Sequence, residues 1–138
     1  MDTLSKAVLN RLAEFAAYIC GTPIAAISLP DDHRLWLKSS AGLDIRDLSK
    51  DASFSEYVIQ QGHFFVVSDT LADNRFASHT LVTGSPGIRF FAGIPFIAGN
   101  SRRPGSLCVF DTVPRELNPS QISMLDNLAK QAMDILGM

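Results

Sequence analysis

The chain has 138 residues, 46% of them hydrophobic and 19% charged, enough to bury one compact core without staples, so one domain is expected over 1–138. Twelve Lys and Arg against fourteen Asp and Glu give a net charge of −2 with no basic block, which argues against nucleic-acid binding and a polybasic membrane patch. Two remote cysteines, Cys20 and Cys108, imply neither a disulfide framework nor a metal site, and Arg11 and Glu14 break the first apolar stretch, so the expected setting is cytoplasmic.

Leu4, Val8, Leu12, Phe15 and Ile19 recur at steps of three or four and predict one apolar face of a first helix, stopped by Gly21 and Pro23. The runs "IAAISLP" and "RLWLKSSAG", split by Pro30-Asp31-Asp32, predict a hairpin whose second strand ends at Gly42. Trp36 in that strand is expected as a sheet anchor and His33 in its turn. Ser53 followed by Glu56 reads as a capping box for a helix from about Phe54 to Gln61, ended by Gly62, and "HFFVVSD" as a buried strand.

From Asp69 to Gly87 the chain is polar and turn-rich, with short helical turns at most after an Asp69 cap. A connection that long is more often a binding loop or lid than a passive link, with loose packing as the alternative. "IRFFAGIPFIAG" and "GSLCVFD", joined by "NSRRP", predict a second hairpin. Asn118 as cap, Pro119 in the first helical position and Gln121 three residues after the cap open the last helix. Its stripe is Ile122, Leu125, Ala129, Ala132 and Leu136, and Met124, Leu128 and Ile135 beside it broaden the apolar face enough to pack on a second chain or a neighbouring helix. Hairpins force antiparallel pairing, so the fold class is α+β: a central antiparallel sheet flanked by helices, the first and last helices together on one side.

Cys108 lies in a continuous apolar run and reads as a small buried hydrophobe, with no sequence-local base to make it nucleophilic. Asp111 and Arg115, flanking Pro114, read as a structural pair closing the corner between strand and helix. His63 and His79 are loop or strand-edge residues with no acidic or second histidine partner at metal-ligand spacing.

Taken together, "SDTLADNRF", "LVTGSPGIRFFAGIPF" and "GSLCVFDTVPREL" resemble a GAF domain of bacterial signalling proteins. The resemblance implies a non-enzymatic sensory module that binds an unidentified small molecule or forms a homodimer. It would control an output domain, such as a histidine kinase or diguanylate cyclase, in the same or a partner chain, with no nucleic acid, membrane or metal involved and its cofactor unknown. Rival readings are a dimerisation module with an empty pocket and a redox enzyme of the free methionine sulfoxide reductase branch. Ser55 stands where many relatives carry cysteine, there is no Cys-His pair for a bilin, and Asn74-Arg75-Phe76 is only a fragment of the cyclic-nucleotide signature. In the family the ligand lies against the sheet under the long loop. The matching stretches here offer Phe54, Tyr57, Asp69, Arg75, Phe76, His79, Arg89 and Phe91 as ligand-binding residues. Arg75 and Arg89 would supply guanidinium forks and the phenylalanines a stacking wall, while core packing, or an ion pair of Arg75 with Asp69 or Asp73, is the plainer use of the same side chains.

Overall fold

The computed structural model describes residues 3–29 and 44–138, and the backbone of 34–39. The turn holding His33, the strand end at Gly42 and the side chain of Trp36 lie outside the described residues. Five antiparallel strands form one sheet in the order β2-β1-β5-β4-β3. They are β1 (Ile24–Leu29), β2 (Arg34–Ser39), β3 (Phe65–Val67), β4 (Phe90–Phe96) and β5 (Gly105–Asp111). The helices are α1 (Thr3–Cys20), α2 (Arg46–Lys50), α3 (Ser53–Gln61), α4 (Thr80–Thr83) and α5 (Pro119–Leu136), with a 3-10 turn over Thr70–Ala72. This is the α+β class expected, with α2, α4 and the 3-10 turn added inside segments that read as connections.

Both faces of the sheet are covered, which explains why its central strands read as unbroken apolar runs. In β5, Leu107 and Val109 point to the α1/α5 side and Cys108 and Phe110 to the other, and Phe90 and Phe91 divide in the same way in β4. Gly93 faces Cys108 across the ladder, and α3 packs onto the sheet at that point. A Cβ there would sit 2.7 Å from the Cys108 sulfur and 3.0 Å from both methyls of Val58, so glycine is what lets the helix approach this closely.

Helix ends follow local chemistry. The Asn118 side chain accepts from the Gln121 amide at 2.8 Å and the Gln121 side chain accepts from the Asn118 amide at 2.9 Å, with Pro119 first in the helix, as the sequence indicates. Gln121 Nε2 also donates to the Ile19 carbonyl at 3.0 Å and ties α5 to the end of α1. The Ser53–Glu56 capping box does not form. Ala52 is the cap residue of α3, and the carboxylate of Asp51 takes the Ser53 amide at 2.9 Å, because an aspartate two residues upstream reaches that amide as an Asx turn. Gly62, at φ 74°, ends α3 in the left-handed region.

The expected stripe of α5 holds, with Leu125, Ala129 and Ala132 buried and Leu136 packed against the core, whereas that of α1 is displaced. The buried face of α1 is Leu9, Leu12, Ala13, Ala16, Ala17 and Cys20, whereas Leu4 and Phe15 project outward at 75% and 54% exposure. Three alanines let α1 lie close to its neighbours, a contribution that a search for large apolar residues passes over. In α5, Leu128 is buried in the core and Ile135 packs against it, leaving Met124 as the half-exposed member of that trio.

Candidate functional site

The sheet face away from α1 and α5 carries the long connection, and this is where the expected site residues gather. The connection is firmly anchored. Thr70, fully buried, donates its amide to the Arg89 carbonyl and its hydroxyl to the Ile88 carbonyl, both at 2.8 Å. Ile88 donates to the Leu81 carbonyl at 2.8 Å and Arg89 to the Asp111 carbonyl at 2.9 Å.

Under it sits an aromatic cluster. Phe54 from α3 stacks on Phe91 from β4 with centroids 4.6 Å apart and planes 3° from parallel. Phe76 meets both edge-on at 5.6 and 5.1 Å, and Tyr57 meets Phe76 edge-on at 5.1 Å. Phe65 and Phe110 complete the group at 5.9 and 6.4 Å from Phe91. Offset and edge contacts suit the ring quadrupoles, and Phe54, Phe91 and Phe110 are fully buried, so these rings are core. Phe65 and Phe110 escape a site reading of the sequence, although alternation along β5 already puts Phe110 on the face of Cys108.

The polar members of the expected set each hold the loop's own backbone or a neighbour. The Asp69 side chain accepts from the Leu71 amide at 3.1 Å and caps the 3-10 turn. Of the two aspartates open to Arg75, the partner is Asp73: Arg75 Nε and Nη2 donate to its two oxygens at 3.0 and 2.6 Å. Arg75 Nη1 also donates to the Tyr57 hydroxyl at 3.2 Å, and its guanidinium lies 5.2 to 5.8 Å from the Phe65, Phe76 and Tyr57 rings. The hydrogen bond from Arg75 holds the Asp73 carboxyl below its ordinary pKa, and that bond and the one to Tyr57 raise Arg75. Arg89 donates to the Val82 carbonyl at 2.7 Å and so satisfies the loop around α4.

His79 caps α4, because its Nδ1 accepts from the Leu81 amide at 3.0 Å. Nδ1 is therefore unprotonated, and Nε2 carries the proton that it donates to Ser53 Oγ at 2.9 Å. Asp51 Oδ2 lies 3.9 Å from the same Nε2, and the His79 ring is 4.5 Å from Phe54. Burial pushes Asp51 up, but the Ser53 hydroxyl and amide and His79 outweigh it and leave its pKa lowered. Serine, histidine and aspartate stand together here without forming a nucleophilic triad. That machinery needs the carboxylate on one ring nitrogen and the hydroxyl on the other, whereas here both face Nε2 and a backbone amide occupies Nδ1. Beside this network, α2 and α4 border a cleft of about 280 Å³ lined by Asp47, Lys50, Asp51, Thr80 and Ser85. Sequence reading passed over these residues, the one signal being the Asp51-x-Ser53 turn.

Cys108 is fully buried, and burial pushes its thiol up to about 11 despite hydrogen bonds with Ser106 and Ser55. Cys20 rises to about 11 for the same reason, with Arg115 opposing. A thiol held protonated is neither nucleophile nor metal ligand. Asp111 is the structural residue expected: it accepts from the Thr112 amide at 2.6 Å and from Arg115 Nε at 2.8 Å, while Arg115 Nη1 donates to the Cys20 carbonyl at 3.2 Å and pins the corner to α1. Among the described residues every buried side-chain nitrogen and oxygen has a hydrogen-bond partner, and no group of three or more His, Cys, Asp and Glu could hold a metal. Among them, too, no helix is long and apolar enough to cross a membrane.

The sequence model of the GAF domain matches residues 5–136. The chain belongs to the GAF domain family. As a GAF domain it is 42% identical over 113 residues to a cyclic di-GMP phosphodiesterase of Pseudomonas aeruginosa, a match covering 81% of this chain and 19% of that protein. It spans, then, about a fifth of the length of that curated relative. Among solved structures it superposes on the GAF domain of Thermosynechococcus elongatus PixJ in its blue-light absorbing form, with a TM-score of 0.68 and 14% identity over 95% of this chain and 84% of that one. The GAF domain/HD domain protein of Geobacter sulfurreducens gives 0.71 and 10% identity over 96% and 92%. These two likenesses speak for the fold alone.

Proposed function

We propose that this GAF domain is a non-enzymatic regulatory module that pairs with a second copy through α1 and passes a small-molecule signal to an output domain in the same or a partner chain. The observation that carries it is the outward face of α1. With both faces of the sheet already covered, Leu4, Val8, Arg11, Phe15 and Tyr18 still form a stripe at alternating steps of four and three, with Leu4, Phe15 and Tyr18 more than half exposed. That spacing keeps one seam facing a partner helix over about four turns. The output is of the class that a cyclic di-GMP phosphodiesterase, a diguanylate cyclase or a histidine kinase represents.

A small molecule would enter by the cleft between α2 and α4 and act on the His79 and Phe54 network. A second reading, a dimerisation module without a ligand, is favoured by the aromatic rings that fill the space under the loop. Native against denaturing mass spectrometry on freshly purified protein tests both. A dimer with a stoichiometric added mass supports the ligand-responsive module, a bare dimer supports the second reading, and a monomer at all concentrations refutes both.

A further inference from the structure

On the other side of the sheet, the end of β4 and the flank of α5 enclose a cleft of about 260 Å³. Its walls are Phe64, Ile94, Pro95, Ile97 and Met133, and its rim carries Lys130 and Asp126, paired at 3.0 Å across one turn of α5. His63 closes one end, its Nδ1 donating to the Phe64 carbonyl at 2.7 Å and fixing the turn. The space lies just below the usual range for ligand sites, room for one branched or aromatic side chain with a small head group.

The rim decides the head group. Lys130 and Asp126 side chains are 69% and 50% exposed, and their single contact leaves donors on the ammonium and lone pairs on the carboxylate for a further partner. A ligand bearing only a carboxylate would meet Asp126 as well as Lys130, and one bearing only an amine would meet Lys130 as well as Asp126, so each gains attraction and repulsion together. A head with both charges on one carbon sets each against its complement. We infer that this cleft binds a free apolar amino acid, its side chain against Phe64, Ile94, Ile97 and Met133, its carboxylate on Lys130 and its ammonium on Asp126. The residues are separate from those of the His79 network, and the inference does not depend on the regulatory reading.

The test follows amide chemical shifts of the whole chain during titration with L-leucine, 4-methylpentanoate, 3-methylbutylamine and glycine. The expected result is saturable shifts with leucine at Phe64, Ile97 and Lys130, about three- to fivefold weaker binding of the two singly charged analogues, the scale of an exposed ion pair, and none with glycine. Asp126→Asn should weaken leucine by a similar factor while leaving 4-methylpentanoate as tight or tighter. Ile97→Asp, at a position 45% exposed and so harmless to the core, should abolish leucine binding. No saturable shift with leucine, shifts mapping to Phe54 and Phe91 instead, or equal affinity for the acid, the amine and the amino acid would overturn the inference.

Discussion

Adding a single methyl at Gly93 probes how closely α3 packs on the sheet. The added carbon would lie 2.7 Å from Cys108 Sγ and 3.0 Å from both Val58 methyls, so either α3 lifts or β5 shifts to make room. Overpacking of this kind costs about 1–3 kcal/mol. Against it, Ala in an ordinary extended strand gains about 0.4–1 kcal/mol by restricting the unfolded chain. The net expectation is a loss of about 1–2 kcal/mol, which in a domain of this size lowers Tm by about 4–8 °C. The assay is thermal unfolding of Gly93→Ala, Cys108→Ala and the double variant. Removing the sulfur relieves the shorter contact, so the double variant should be more stable than the sum of the singles implies, by about 1 kcal/mol of coupling. Strict additivity, or a Gly93→Ala variant as stable as the parent, would refute the close approach.

Arg75→Ala should lower Tm, because the guanidinium bridges Asp73 to the Tyr57 hydroxyl and lies over three aromatic rings, and Arg75→Lys should restore less than half of the loss. An unchanged Tm would return Arg75 to the pool of unspent ligand-binding residues. With both thiols near 11, thiolate at pH 8 is about one part in a thousand, so a thiol reagent should label native protein far more slowly than unfolded protein. Rapid stoichiometric labelling of the native fold would contradict their burial. Asp51 and Asp73 have folded pKa values below their unfolded ones, so their stabilisation is present above about pH 4 and is lost as pH falls through the lowered values. Stability measured against pH should fall more steeply on the acid side in the parent than in Asp51→Asn or Asp73→Asn, and parallel curves would refute the sign.

The sheet was legible because strands covered on both faces advertise themselves as apolar runs between turn residues, as in "SLCVF". The cap at Asn118 was legible because every group in it lies within four residues. What the sequence hid depended on distance or on small side chains. The packed face of α1 is built largely of alanine, and Leu4 and Phe15, the conspicuous members of its apparent stripe, face outward. The cap of α3 came from Asp51 rather than Ser53, since two acceptors competed for one amide. In the candidate site the sequence placed the eight residues in one region, but it could not tell that Arg75 would choose Asp73 or that His79 would spend Nδ1 on the Leu81 amide. These choices are settled by loop geometry anchored at Thr70 and Arg89, far along the chain from Ser53.

The central claim is that the outward stripe of α1 is covered by a second copy. Sedimentation velocity of the parent and of the Phe15→Glu/Tyr18→Glu variant tests it directly, because both positions are exposed and the changes leave the core intact. The account expects a concentration-dependent dimer for the parent and a monomer of unaltered Tm for the variant. A parent that stays monomeric, or a variant that dimerises as well as the parent, would contradict it.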